Sequence, residues 1–396
     1  MQRVHDHIVI AGGGLAAVRT AQALRDLKHE GAITLLCAEN ELPYDRPPLS
    51  KAYLTGKVAD EQIRLLPAQE YAELGIEVQL GARAVGLDRV GRSVRIAGGR
   101  TLSYDHLVVA TGARPIRLPA FEGRENVYVL RDSGDARRLR EALAPGRRLG
   151  IVGAGFIGLE IAATARELGA EVTLIEVAAA PLASILGTEL GGCIQRWHER
   201  KGLRFQCGAA VRAVHGNGRV ESIELVTGAV VDVDAVVVGV GQLPNVEWLE
   251  AAGLLLNRGL VCDAHGRTLD PRVFGAGDAV CTQVGTSFHP TRQWTAVTEQ
   301  ASRVAAALCH QGDPGPVVED NYFWSDQHGL RLQFAGQVPA QPRLVWVRGG
   351  PDEERFAVLC CTSTSVSAVF SLGCPRDFLV HSMPLRRGEL TPAPIG

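Results

Sequence analysis

"RLGIVGAGFIGLEIAATARELGAEVTLIE", residues 148–176, is the stretch that decides the fold. A short β-branched run leads into Gly153-x-Gly155-x-x-Gly158, an apolar pattern of helical period follows, and a second apolar run ends on Glu176. Strand, glycine turn, helix, strand and acid, in that order, make the mononucleotide-binding half of a doubly wound sheet. The same order stands near the start. "HIVIAGGGLAAVRTAQAL" (7–24) places Gly12, Gly14 and Ala17, and "AITLLCAE" (32–39) ends on Glu39. A single G-x-G-x-x-G is a weak signal, because any strand–helix turn can carry it. Two copies, each with its strand, helix and distal acid, are a strong one.

In both halves the glycines let backbone N–H groups approach a pyrophosphate, and the helix N-terminus adds partial positive charge. The distal acid accepts from adenosine ribose hydroxyls. Glu176 would also repel a 2′-phosphate, and "EVAAAP" (176–181) offers no arginine or lysine, so NADH is expected rather than NADPH. Two dinucleotides in one chain point to a relay. A nicotinamide delivers only a hydride, whereas a flavin accepts it and releases electrons singly. FAD on the first half and NADH on the second is the natural reading.

At 396 residues the chain is too long for one core, so two or three domains are expected. Apolar residues make up 46% and charged residues 21%, with 41 basic and 43 acidic side chains and a net charge of −2. No basic run marks a nucleic-acid footprint. No apolar stretch approaches the roughly 18 residues of a membrane span, and the start lacks the apolar core of a signal peptide. Nine cysteines without a C-x-x-C suit reduced thiols and a cytoplasmic location. Cys193, Cys207 and Cys262 read as small hydrophobes. Eleven histidines in no H-x-x-x-H spacing give no reason to expect a metal.

Further strands are expected in "HLVVATGARP" (106–115), "DAVVVGVGQLPN" (234–245) and "RVFGAGDAV" (272–280), and a helix over 296–308. "CHQGDPGPVVED" (309–320) reads as a linker. The alternating runs "RLVWVR" (343–348) and "FAVLCC" (356–361) predict a C-terminal antiparallel sheet. The fold expected is α/β, with two Rossmann-like dinucleotide-binding domains and a C-terminal α+β domain. Residues 1–113 and 239–316 form the FAD domain, 114–238 the NADH domain and 317–396 the C-terminal domain.

"GGGLAAVRTAQALR", "YDRPPLSKAYL", "LVVATGARP", "IVGAGFIGLEIAATARELGAEVTLIE", "RTLDPRVFGAGDAV" and "FWSDQ" follow one another with familiar spacing. Together they resemble the FAD-dependent NADH–ferredoxin reductases that serve bacterial cytochromes P450 and Rieske-type oxygenases. Rubredoxin reductases and apoptosis-inducing factor are relatives of that group. The resemblance spans almost the whole chain, and "YDRPPLSK" with "FWSDQ" is specific to the group. It implies a [2Fe–2S] ferredoxin as partner and a P450 or Rieske oxygenase downstream.

It also implies roles at this chain's residues. Gly12, Gly14, Ala16 and Glu39 hold the FAD adenosine diphosphate, and Ala84 meets the adenine through its backbone. Arg131 sits near the FAD pyrophosphate, Thr111 belongs to the same cofactor site, and Asp278 reaches the ribityl chain or phosphates. Trp294 lies at the pyrimidine edge of the isoalloxazine, and Trp324 flanks the flavin toward an electron acceptor. Gly153, Gly155, Gly158 and Glu176 bind NADH. The prolines of "YDRPPLSK" (44–51) fix backbone dihedrals, which holds Arg46 and Lys51 toward the flavin's polar edge. Lys51 lies near N5 and pairs with Glu160, the two residues expected to tune hydride transfer.

Three features depart from the resemblance. "TRQWTAV" (291–297) carries Arg292 where the group has an acid and Ala296 where it has an asparagine. Arginines common after the second acid are missing, and the C-terminal domain is short. Arg64 and Arg303 are candidate docking charges. No cysteine follows Glu39 where disulfide reductases carry theirs, so disulfide chemistry is not expected. A stand-alone NADH-dependent reductase of a small molecule and a redox-sensing binding protein similar to apoptosis-inducing factor are the alternatives.

Overall fold

A computed structural model describes residues 6–290, 294–310, 321–389 and 391–393. They form two compact units: one from the described parts of 1–45, 60–114 and 242–317, the other from those of 46–59, 115–241 and 318–396.

The first unit is built on a five-stranded sheet in the order Val273–Gly275, His106–Val109, Ile8–Ala11, Ile33–Leu36, Ile76–Gln79. All its pairings are parallel. A parallel sheet is covered on both faces, which is why "IVIA" and "ITLL" are apolar but for Thr34 and buried at every position. Ile8, Ile10, Leu35 and Val108 pack on one face with Val18 and Leu24 of the helix Leu15–Asp26. Val9, Leu36, Val109 and Leu260 pack on the other. Strand order reverses about Ile8–Ala11, so the first glycine turn opens at a switch point, where such sheets take ligands. The expected late helix runs Trp294–Leu308, beginning two residues earlier than its apolar pattern indicated.

The second unit repeats the plan. Its parallel sheet runs Arg204–Cys207, Glu171–Glu176, Arg148–Val152, Ala235–Val238, Val127–Tyr128. The second glycine turn leaves the central strand. Residues 46–59, which carry most of "YDRPPLSK", belong to this unit.

The C-terminal part is an antiparallel sheet in the order Phe323–Gln327, Leu330–Gly336, Val366–Leu372, Phe356–Cys361, Arg343–Arg348, with the helix Pro375–Arg386. "FAVLCC" is buried at every position instead of alternating. Phe356, Val358 and Cys360 join the core that holds Leu159 and Trp197, while Leu359 and Cys361 pack with Phe378 of the helix. The α/β class is therefore as expected. The linker 309–320 lies almost wholly outside the described residues, and so does Arg292.

Phe370 is fully buried against Phe356, with ring centroids 5.7 Å apart. Phe370→Ala is expected to cost about 3–5 kcal/mol, read as a lowered urea midpoint with an unchanged slope.

Candidate active site

The first glycine turn is shaped by what surrounds it. Gly12 has φ +150, and a Cβ there would stand 2.1 Å from the Ala110 carbonyl oxygen. Gly14, the N-cap of Leu15–Asp26, has no side-chain cap, and a Cβ there would meet nothing within 4 Å. The turn is thus closed against the protein and open where unpaired helix N–H groups point, as an anion cradle requires.

Ala16 is buried, and a Cβ on Gly277 would stand 2.8 Å from its methyl, so small residues bring the two segments together. The Gly277 amide donates to Gln300 at 2.8 Å, which sets the turn carrying Asp278. Glu39 accepts from the Tyr44 hydroxyl. Gly81 and Ala82 donate to the carbonyls of Glu39 and Cys37, so the strand Ala84–Asp88 starts beside the acid. The Thr111 hydroxyl donates to the Asn245 carbonyl at 2.6 Å, and the Asn245 amide returns to Thr111 at 3.1 Å. The Trp294 indole donates to Asp45 at 3.1 Å.

Cys37 lies under this turn. A Cβ on Gly13 would stand 2.7 Å from its Sγ. Burial, with the Glu39 charge adding to it, pushes its thiol up to about 12, so it offers no thiolate at neutral pH. The described cysteines are in no disulfide, and Cys193 and Cys262 are buried as small hydrophobes. Cys207 is only half-buried, contrary to expectation, and donates to Gln195 at 3.6 Å.

The second turn has the same construction. Gly153, with φ +104, would put a Cβ 2.4 Å from the Gly239 oxygen, and Gly158 would put one 2.2 Å from the Gly153 oxygen. Gly155 caps Phe156–Glu167 without a side-chain bond and faces open space. The Glu176 carboxylate accepts from the amides of Ala154 (2.7 Å) and Ala178 (2.9 Å). The acid therefore holds the glycine turn in place besides being able to receive a ribose. A carboxylate has about four lone-pair sites, which leaves room for both tasks.

The "YDRPPLSK" loop is a single 3₁₀ turn, Pro47–Ser50, with the prolines in its opening positions and Lys51 as its cap. Leu49, Tyr53 and Leu54 bury its base. Lys51 Nζ lies 2.7 Å from Glu160 Oε2 and 3.1 Å from the Pro47 carbonyl. Glu160 is buried on Phe156–Glu167. Its Oε2 also accepts from the Ser50 hydroxyl at 2.5 Å, and its Oε1 accepts from Ser325 at 2.5 Å. One helical turn on, the Thr164 hydroxyl donates to the Ser50 carbonyl at 2.7 Å. Arg46 donates to the Arg131 carbonyl, while the Arg131 amide donates to Asp135 at 2.9 Å.

Of the residues singled out from sequence, Gly12, Gly14, Ala16, Glu39, Ala84, Thr111, Asp278 and Trp294 fall in the first unit. Arg46, Lys51, Arg131, Gly153, Gly155, Gly158, Glu160 and Glu176 fall in the second.

Residues 6–303 match the pyridine nucleotide-disulphide oxidoreductase family, and residues 322–394 match the reductase C-terminal family. The chain belongs to the pyridine nucleotide-disulphide oxidoreductase family. FAD and NAD(H) are its cofactors. The oxidoreductase is 37% identical over 394 residues to the probable ferredoxin reductase CtmF of Castellaniella defragrans, covering 98% of this chain and 95% of that one. It is 39% identical over 365 residues to the anthranilate 1,2-dioxygenase system ferredoxin–NAD(+) reductase component of Burkholderia cepacia, covering 89% and 87%. Among solved structures, the putidaredoxin reductase of a covalent complex with putidaredoxin superposes with a TM-score of 0.90 at 32% identity, over 96% of this chain and 93% of that one. The ferredoxin reductase from Rhodopseudomonas palustris gives 0.91 at 33%, over 98% and 96%.

Ser50 and Ser325 had no role in the sequence reading, although both hold the oxidoreductase's Glu160. They stand 110 and 165 residues from it, and a serine carries no spacing signal of its own. The two glycines of the second turn separate packing from ligand approach. Gly158→Ala is expected to destabilise by about 1–3 kcal/mol, because its methyl meets a carbonyl. Gly155→Ala is expected to leave the thermal midpoint within about 2 °C, because its methyl meets nothing.

Proposed function

We propose that this oxidoreductase is the reductase of a short electron-transfer chain: it takes a hydride from NADH and passes single electrons to a [2Fe–2S] ferredoxin that feeds a cytochrome P450 or a Rieske-type oxygenase. The Lys51–Glu160 pair, a half-buried lysine on a buried carboxylate, is the observation that carries this reading. An ammonium group held at one point, on a loop stiffened by two prolines, suits a site where negative charge develops during hydride transfer. The relatives' names support the choice of acceptor: one is a probable ferredoxin reductase, another the ferredoxin–NAD(+) reductase component of a dioxygenase system.

Bound flavin supplies the conversion from a two-electron donor to one-electron delivery. The chain's own residues bind and orient. We assign residues 1–113 and 239–316 to FAD, 114–238 to NADH and 317–396 to the C-terminal domain. Gly12, Gly14, Ala16, Glu39, Ala84, Thr111 and Asp278 would hold the FAD nucleotide and ribityl portions, with Trp294 at the ring edge and Arg46 and Arg131 supplying positive charge. Gly153, Gly155 and Gly158 would admit the NADH pyrophosphate, and Glu176 would take the adenosine ribose and repel a 2′-phosphate. Lys51 is assigned to the flavin N5 edge, with Glu160 holding it there. Arg64, exposed beside Glu61 at 3.3 Å, and Arg303 are assigned to ferredoxin docking. No helix among the described residues is long and apolar enough to cross a membrane, and the oxidoreductase is assigned to the cytoplasm.

Glu160→Ala is expected to slow anaerobic bleaching of the flavin by NADH at least about tenfold, with the yellow cofactor retained. Unchanged bleaching would remove the pair from the reaction. In the unaltered protein, rapid bleaching by NADH should be followed by reduction of cytochrome c that depends on an added [2Fe–2S] ferredoxin. Rapid bleaching with no passage to any ferredoxin would point to a small-molecule acceptor.

A further inference from the structure

Glu160 is the end of a longer buried row that the reaction as described does not use. Ser325, fully buried, donates to Glu160 Oε1 at 2.5 Å and receives Gln327 Nε2 at 2.8 Å. Gln327 is 1% exposed, and its Oε1 has no hydrogen-bond partner. Nor has His198 Nε2, on a fully buried ring whose Nδ1 lies 3.0 Å from His328 Nε2. Burial, and next the His328 ring, push His198 well below the ordinary imidazole range; Gln327 opposes them as a hydrogen-bonding neighbour. Gln327 Oε1 and His198 Nε2 do not meet at normal length in this conformation, yet each is a buried polar atom needing a partner of the other's kind. Burial and the Lys201 charge push His328 down to about 4. Both rings are therefore neutral at pH 7, with one proton each.

The partners decide where those protons sit. A proton on His198 Nε2 faces the Gln327 oxygen, so His198 Nδ1 must accept, and His328 Nε2–H donates to it. The other tautomer sets the bare His198 Nε2 against the bare Gln327 oxygen. Relief would then come from turning the Gln327 amide over, which brings its oxygen to Ser325. The Ser325 hydroxyl would donate there and release Glu160. Only one direction of the row leaves Ser325 on the carboxylate.

His328 is held in place at a cost. It opens the two-residue hairpin His328–Gly329, with φ +48 followed by φ +74, between the paired Gln327 and Leu330. Glycine or asparagine suits that position, and another side chain there costs about 1–2 kcal/mol. The ring sits edge-on to Trp197 (5.2 Å) and beside His198 (5.1 Å). A strained side chain over-determined by its contacts is the usual mark of a functional constraint.

We propose that His328, His198, Gln327 and Ser325 form a one-way hydrogen-bond row that fixes the Glu160 carboxylate against Lys51, and that they are positioning residues for hydride transfer. The proposal rests on the assignment of Lys51 and Glu160 to that step. Its test uses the flavin-loaded protein in three forms beside the unaltered one: Gln327→Met, His328→Phe and, as control, Glu160→Gln. Gln327→Met keeps the volume and His328→Phe keeps the ring. Both should lower the limiting rate of flavin bleaching by NADH by about 3- to 10-fold, the size of one neutral hydrogen bond. The NADH concentration at half-saturation and the bound FAD should not change. Nitrogen-15 spectra of labelled histidine should show His198 protonated on Nε2 in the unaltered protein and on a mixture of both nitrogens in His328→Phe. A limiting rate slowed by Glu160→Gln but untouched by the other two overturns the row and leaves the pair standing. A rate untouched by all three overturns the pair as well. Should a variant fail to fold, the His198 tautomer in the unaltered protein decides alone: a proton on Nδ1 refutes the proposal.

Discussion

An ionised carboxylate taken out of water costs several kcal/mol unless donors replace the lost hydration. Glu160, 7% exposed, meets this constraint with Lys51 Nζ and the hydroxyls of Ser50 and Ser325. The centre joins three separate stretches of one unit: the proline loop and the first strand of the C-terminal sheet supply the donors, and the helix after the second glycine turn carries the carboxylate. None of the three can shift without stranding a charge. A glutamine at 160 would not serve, because its amide brings two donors of its own against three. The centre therefore ties the loop and the C-terminal sheet to the nucleotide fold by chemistry that only an acid satisfies.

The two glycine turns show the same economy of construction at different places. In each, the first glycine is pressed on the carbonyl of the residue leaving a neighbouring strand, Ala110 in one unit and Gly239 in the other. In each, the N-cap glycine faces open space at a helix start with no side-chain cap. The third position differs: Ala17 is accepted and fully buried in the first turn, whereas Gly158 in the second leaves no room for a methyl.

The repeat was plain in the sequence because its signals are local: glycines at fixed offsets, apolar periods and an acid at the end of each second strand. Lys51 and Glu160 came through resemblance, and the structure brings them to 2.7 Å. What was not legible depends on long-range pairing. "FAVLCC" was read as an alternating run, whereas a core lies on each of its faces. The late helix begins at Trp294 rather than Ala296, since a helix's opening residues need not face the core and so carry no periodic signal. Glu176 was read as a ribose acceptor, while its bonds to Ala154 and Ala178 show a second task that no spacing predicts.

"FWSDQ" shows how such a centre can nevertheless leave a trace. In a strand, alternate residues share a face. Phe323, Ser325 and Gln327 share one, and Phe323 lies edge-on to Phe156 at 4.4 Å, which fixes that face against the helix carrying Glu160. An antiparallel strand ordinarily turns its apolar residues inward and its polar ones outward. Here Ser325 and Gln327 are fully buried while Trp324 is only half-buried. Burying two polar side chains side by side is unfavourable unless every donor has an acceptor, so the inversion marks a place where polar contacts outweigh packing. The motif's serine reaches the Glu160 carboxylate directly, and its glutamine reaches it through that serine.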